Sequence, residues 1–549
     1  MATQTFKLAV NNAEFPFLYA RAARSVLQPG LDVAPRTSAA FVGTTKSFDW
    51  NLVKMIYCEN VLPVAEGIIS TGTQEDILPF SPAATDFDQF ITIRDSIERN
   101  YLMVPARGKN YVLNPDTLVW ESKNPFTWAD DKKIVSRAYV DGRTFIFYER
   151  DRLLEWDPVG EVFNTLTLVL PAGLAVTDIR GCAGASNYLI LYTDQDVFWA
   201  LAPGVLDFTA TAAGAGGQIP IDLKGQITCC ETISGGFIVY TTRNAVAAFF
   251  TNNAATPFSF REVQASGGVS GYEQLTSDAN QAKHYTYGSS GLQELDLQRA
   301  DLIHPDCTDF LSQRQYETWD SAAGEIVSSF LGGALEVKLQ FLANRYLVIS
   351  YGKKEGQFTY ALFFDVGLQR WGKVRVDHVD VTILPSTVLD TLGFRWFELI
   401  GEWEDYDVTW EDLERPIAGI LPIRTGFAFL QNTGAIRTLQ AEMPADNKEG
   451  VAIFGHVQVT RGRATTLNGA SFDGVYDDPL PVVRIMGSLP GNGKVRMPAT
   501  ATYQLPATPE LLQILPGASK QAYENIDVVL EGKFALTSAI LETTIHGSR

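Results

Sequence analysis

Cysteine and histidine are both scarce, five of each in 549 residues. Cys58, Cys182, Cys229, Cys230 and Cys307 form an odd, scattered set with no Cys-x-x-Cys and no paired-histidine spacing. That excludes a disulfide scaffold and a zinc finger, and the thiols read as small buried hydrophobes. His284, His304, His378, His456 and His546 lie far apart, none in a His-Glu-x-x-His or an i, i+4 pair, so no metal or cofactor site is expected and the imidazoles serve packing or the surface. A Gly-x-Ser-x-Gly elbow is missing as well, which leaves nucleophilic hydrolysis without a motif.

Basic residues are in deficit: 44 Lys and Arg against 63 Asp and Glu give a net charge of −19. A chain so acidic repels nucleic acid and is not expected to bind it by neutralising phosphates. Long apolar runs are lacking too. Val162 to Val176 is interrupted by Asn164, Pro171 and Gly173 and falls short of the ~20 apolar residues of a membrane helix, so no membrane anchor is expected. Met1 to Lys7 shows no charged stretch leading into an apolar one, so no secretory signal is expected and the product stays in the cytoplasm where it is made.

What is present in quantity is β-structure. Short runs of β-branched and aromatic residues alternate with Gly, Asn and Asp turns, the pattern of antiparallel hairpins, while the only short helices suggested are Arg21 to Leu27 and Pro509 to Leu515. One unit recurs: a strand led by an aromatic, a polar turn, and a second strand ending in an aromatic or Leu. Its leading aromatics are Tyr111, Phe145, Tyr188, Phe237, Tyr285, Tyr346 and Phe427, at spacings of 34, 43, 49, 48, 61 and 81 residues. The early spacings bracket the ~40–50 residues of a four-stranded propeller blade, and the two widest gaps imply insertions. The expected fold is all-β: a β-propeller over 96–445, with a β-rich N-terminal segment (1–95) and a β-rich C-terminal segment (446–549) packing together as a second domain. A β-sandwich or an array of small β-domains is the alternative.

Three segments invite a chemical interpretation. Gly487 to Lys494 is close to a phosphate loop, but five residues separate Gly487 from Gly493 and Val495 stands where the metal-binding Ser or Thr would be, so a hairpin turn is expected. Gly214 to Gly217 lacks a strand-to-helix setting and reads as a loop. The segment 391–420 carries eight acidic residues and the doublet Trp403-Glu404-Asp405 and Trp410-Glu411-Asp412. Paired carboxylates beside tryptophans suit sugar binding or glycoside hydrolysis; an insertion with its aromatics packed inward and its acids solvated is the plainer expectation. No catalytic, cofactor-binding or metal residue is therefore assigned, and a non-enzymatic protein is expected.

The hairpin blades, above all Asn187 to Tyr192 with Asp196 to Trp199 and Ala361 to Asp365 with Arg370 to Lys373, carry a resemblance to a known family. The Trp-Glu-Asp doublet and the C-terminal run from Gly532 through Glu542 to Arg549 add to it. The chain resembles the tail nozzle proteins of short-tailed bacteriophages, also called tail tubular protein B or packaged-DNA stabilisation proteins. The resemblance implies a homohexameric ring in the virion tail, below the portal and head-to-tail adaptor, carrying tail fibres or tailspikes. Genomic DNA would pass through its lumen without specific binding, retained until infection by a distal gate. The family varies in its loops, so gating residues do not carry over one by one. A polyanion conduit is expected to show more acidic than basic side chains to its lumen, with Ala210 to Gln218 or a loop of 391–420 as constriction. The alternatives are a glycan-binding or glycan-hydrolysing propeller and an intracellular propeller scaffold.

Overall fold

A computed structural model describes residues 3–9, 52–64, 67–71, 76–78, 89–94, 100–106, 109–114, 117–123, 134–200, 205–209, 223–253, 256–278, 280–330, 335–384, 424–440, 450–457, 465–476, 480–488, 496–504, 512–513 and 525–545. Within them, antiparallel strands succeed one another as seven blades, six of them separate small sheets and one part of a larger sheet. Blade 1 comprises Ile91–Arg94, Asn100–Ala106, Lys109–Leu113 and Trp120–Ser122, and blade 2 comprises Ile134–Val140, Arg143–Tyr148, Arg152–Asp157 and Val162–Leu166. Blade 3 has three described strands, Gly181–Ala185, Tyr188–Tyr192 and Val197–Trp199. Blade 4 runs through Ile227–Ile233, Gly236–Thr241, Ala245–Phe250 and Phe258–Glu262; blade 5 through Leu275–Ser277, His284–Gly288, Gly291–Leu295 and Ala300–Leu302. Blade 6 has the longest strands, Lys338–Leu342, Tyr346–Lys354, Gln357–Asp365 and Arg370–His378.

Local chemistry explains the hairpins. Asp141 and Gly142 both have positive φ (52° and 72°), as do Glu355 and Gly356 (53° and 85°), the two-residue turn whose twist matches that of paired strands. Strands buried on both faces, such as Tyr188–Tyr192, read as continuous apolar runs because a blade is covered by a neighbour on each side.

The blades close into a ring. Each neighbouring pair shares an apolar cluster: Ile93 with Ile146 between blades 1 and 2, Phe147 with Leu189 between 2 and 3, and Ile190 with Val239 between 3 and 4. The series continues with Ile238 and Leu295, Leu292 and Leu347, and Phe363 and Phe427. The last cluster returns to the start, joining Leu102, Val104 and Trp120 of blade 1 to Ala428, Leu430 and Ile436. Those last residues belong to blade 7, made of Asp380–Ile383, Arg424–Leu430, Ile436–Gln440 and, as its outer strand, Asp76–Leu78 from before blade 1. The protein is thus an all-β propeller, and the closed ring removes the sandwich alternative. Two strands of the ring, Asp76–Leu78 and Ile91–Arg94, precede residue 96.

The flanking segments form one sheet with each other. Thr3–Ala9 pairs antiparallel with Phe534–Ile545 and parallel with Leu52–Glu59, which pairs in turn with Gly450–Val457. Val61 meets Lys373 on the outer strand of blade 6, so this sheet is continuous with the ring.

Two details differ from expectation. Tyr111 lies on the third strand of blade 1, whereas the other six leading aromatics lie on second strands; the equivalent position is Tyr101, which makes the first spacing 44. Pro105, next to the end of that strand, disguises it, because proline lacks the donor a ladder uses. Leu512–Gln513, inside the segment expected to be a short helix, is extended and pairs with Gly469 and Ala470, so sheet-edge hydrogen bonds prevail over the helix-start position of Pro509. Arg21 to Leu27 lies outside the described residues. The 61-residue gap holds helix α1, Pro305–Ser312, and the hairpin Gln315–Asp320 with Glu325–Phe330.

Candidate functional site

The first strands of blades 1, 2, 4, 5, 6 and 7 line the space at the ring axis. In such a strand alternate residues face the axis and the rest enter the gaps between blades, so side chains of consecutive positions have opposite surroundings. Arg137 is exposed while Ser136 and Ala138 on either side are buried. The axial space is a cavity of about 220 Å³, with a wall that includes Arg137, Glu231, Glu273, Thr276 and Gln340. On one side it is bounded by Tyr272, whose hydroxyl donates to the backbone carbonyl of Cys230 and lies 3.3 Å from that of Cys182. A double helix whose major groove alone is about 12 Å wide cannot thread such a space.

The charged groups around the axis are of two kinds. Lys338 and Asp380, on the first strands of blades 6 and 7, are buried and 3.2 Å apart. Asp380 also accepts from the backbone N–H groups of Phe90 (2.7 Å) and Val381 (2.9 Å) and from the Gln340 amide (3.1 Å), and so ties blades 6, 7 and 1 together at the ring's closing seam. Burial pushes its carboxyl above the usual range, while Lys338 opposes that. Glu231 of blade 4 is different. Burial raises its carboxyl to about 7, opposed by the Arg137 charge and a backbone hydrogen bond from Thr232.

Two interior histidines are neutral. His284 donates from Nε2 to the Thr232 carbonyl (2.8 Å) and accepts at Nδ1 from the Tyr240 hydroxyl (2.7 Å); His378 donates from Nδ1 to the Val376 carbonyl (2.7 Å) and accepts at Nε2 from Ser350 (2.8 Å). A carbonyl only accepts, which fixes each tautomer. Burial lowers both imidazoles to about 4. The Ser350–His378 pair has the parts of a nucleophile and base, but both residues are buried and the imidazole is oriented by a backbone carbonyl instead of a carboxylate. It packs blade 6.

A second cluster joins the ring to the flanking sheet. Lys373 of blade 6 donates to the Glu317 carbonyl (2.8 Å) and the Tyr57 hydroxyl (3.2 Å), and its ammonium lies over the rings of Tyr57 and Tyr360 at 4.7 and 4.8 Å. Glu59 accepts from the Tyr57 hydroxyl (2.7 Å) and the Trp319 backbone N–H (3.2 Å), with Lys373 3.9 Å and Arg375 3.5 Å away. Burial lowers the Lys373 ammonium, opposed chiefly by Glu59. Blade 6, the inserted hairpin and the flanking sheet thus meet on one buried charge network.

All five cysteines are free and buried, and burial raises the Cys58 and Cys182 thiols to about 12, far from a reactive thiolate. Among the described residues no group of His, Cys, Asp and Glu could hold a metal ion. Gly487 and Ser488 end a strand whose partner begins at Arg496, an antiparallel hairpin and not a strand-to-helix loop; 489–495 lie outside the described residues. So do Ala210 to Gln218, Glu404, Glu411, the rest of 391–420, and His546. The axial groups Arg137, Glu231, Lys338 and Asp380 carried no sequence signal beyond alternation, because which alternate residue faces the axis is decided by ring closure.

No family model and no curated protein matches the chain. Among solved structures, the chain is similar to a chain of the mitotic checkpoint complex (10% identity, 69% of this chain and 93% of that one, TM-score 0.34). It is similar also to the Cps50 (Swd1) β-propeller domain of Myceliophteria thermophila (9% identity, 65% and 96%, TM-score 0.37) and to YCF48 bound to D1 peptide (15% identity, 44% and 66%, TM-score 0.27). At these values the likenesses say nothing about function, and the propeller rests on the strand order and the closed ring of apolar clusters.

Proposed function

We propose that this propeller is a structural subunit of a short-tailed phage tail: the nozzle, a ring-forming conduit and gate for the genome that docks on the head-to-tail adaptor and carries fibres or spikes. The resemblance of the blade hairpins to that family motivates the reading, and the observation that supports it most is the junction of ring and flanking sheet. There Lys373, Arg375 and Glu59 are committed to holding blade 6 against strands from the N-terminal segment. A subunit that stands against the pressure of packaged DNA needs its parts joined in this way. The axial cavity of one chain is too narrow for a duplex, so the conduit of a nozzle would be the space enclosed by several copies. A net charge of −19 on each copy gives that space little ionic affinity for phosphate. Its lumen would be more acidic than basic, with the constriction supplied by loops such as 210–218 or 391–420.

The test is assembly. Purified protein mixed with a portal–adaptor complex is expected to form a six-fold ring stacked on the adaptor in negative-stain images, and loop deletions are expected to release packaged genome early. A monomer that turns over glycans, with activity lost in Glu404→Gln or Glu411→Gln, would instead establish the glycan-hydrolase alternative. Binding to an intracellular protein with no ring on any adaptor would establish the scaffold.

A further inference from the structure

Beside Lys338 and Asp380, the wall of the axial cavity carries Arg137, Glu231 and Glu273, charges that ring closure does not use. Arg137 projects from the first strand of blade 2 and Glu231 from that of blade 4, on either side of blade 3. Between them the first strand of blade 3 reads Gly-Cys-Ala-Gly-Ala, with no side chain large enough to bridge the gap. The two are close enough for the guanidinium to favour the carboxylate, yet among the described residues neither forms an ion pair. Opposite charges elsewhere in the interior are in contact, as at Lys338–Asp380. Arg137 is exposed to the channel and Glu231 is half-buried in its wall, with the Thr232 backbone N–H and the field of Arg137 but no ion pair to favour its charge, a cost that a ligand cation relieves.

The size of the cavity and the charges in its wall define that ligand. A space of about 220 Å³ lies below the ~300–1,000 Å³ of sites for drug-sized molecules, so the occupant is small. A simple anion would leave Glu231 unmatched, and a simple cation would leave Arg137 unmatched. A molecule with both charges satisfies each. We infer that the axial channel binds a small zwitterion of amino-acid size, its carboxylate on Arg137 and its ammonium on Glu231. The guanidinium offers a planar fork suited to a carboxylate, and Glu273 places a second carboxylate in the wall for the ammonium. The raised carboxyl of Glu231 agrees with a group that gains from a cation beside it.

Isothermal titration calorimetry on the full chain tests this with glycine, β-alanine and 4-aminobutyrate, which differ in charge separation, and with acetate and methylammonium as single-charge controls. One zwitterion is expected to bind at least about tenfold more tightly than either control, and Arg137→Gln and Glu231→Gln are each expected to weaken it by at least about tenfold. A measurement on the unmodified chain makes the test independent of folding: the bound zwitterion should slow modification of Arg137 by an arginine-selective dicarbonyl, but not that of exposed Arg299. Three results would overturn the inference: no zwitterion binding more tightly than the controls, binding unchanged in both variants, or Arg137 left unprotected.

Discussion

The junction of blade 6 with the flanking sheet and the wall of the axial channel both place Arg or Lys near Glu, and they treat the pair oppositely. At the junction, Lys373 and Arg375 sit 3.9 and 3.5 Å from Glu59, which also accepts from the Tyr57 hydroxyl and a backbone N–H. In the channel, Arg137 and Glu231 are kept apart by a strand of small residues. The difference separates two uses of charge in one fold. A network closed upon itself and desolvated fixes the relative position of three elements, and losing Glu59 leaves the buried Lys373 ammonium without its nearby carboxylate. A pair held open contributes nothing to the scaffold and keeps its electrostatic capacity for something that arrives.

Acid tests the ring that both regions belong to, because two neutral histidines are buried in it, His284 bonded to Thr232 next to Glu231 and His378 in blade 6. With folded values of about 4, His284 and His378 add stability that is fully present above the unfolded value of 6.5 and is lost as pH falls toward 4. The loss should be about 3 kcal/mol for each, read from urea melts at pH 6.5 and pH 4, with opposition from Glu231 over part of the range. Lys373→Met removes a buried ammonium from the junction but leaves Glu59 with Arg375 and two hydrogen bonds, and is expected to cost about 1–3 kcal/mol in denaturant melts. Adding Glu59→Leu should recover part of that loss; a double variant no better than the single one would show that packing, not charge, dominates the junction.

Glu231→Gln should act with the opposite sign. Its folded carboxyl titrates near 7, so its contribution is present below the unfolded value of 4.5 and is lost as pH rises through 7. The amide is therefore expected to gain about 1–3 kcal/mol at pH 8, vanishing near pH 4. A destabilised Glu231→Gln would mean that the channel pair is structural after all. The smallest effect is expected outside both regions: Lys224→Ala, which breaks the exposed pair with Glu262, should change stability by no more than about 1 kcal/mol, less in high salt.

The blade pattern was legible because each blade's second strand begins with an aromatic, and six of seven markers fell on that strand. Tyr111 was misplaced because Pro105 made the true second strand look like a terminus. The outer strand of blade 7 was not legible at all. Asp76, Ile77 and Leu78 form a three-residue strand with only two apolar residues, and their pairing with Ile436 and Arg437 depends on a contact across most of the chain. The channel residues were hidden for a related reason: alternation shows two faces of a strand without saying which meets the axis. The acidic tryptophan-rich doublet, the most conspicuous feature of the sequence, lies outside the described residues.

Closure of blade 7 by Asp76–Leu78 also sets a clock on biosynthesis. The outer strand leaves the ribosome early and waits for Ile436, 358 residues later, which at about 5–20 residues per second is roughly 20–70 s. Until then the six earlier blades form an open arc. Its two ends, Leu102 and Val104 at one side and Phe363 at the other, face water that they will not meet again once the ring is shut. The nascent chain is therefore most exposed to misassociation while nearly complete, and a chaperone that shields apolar sheet faces would matter most in the interval between the sixth blade and the seventh.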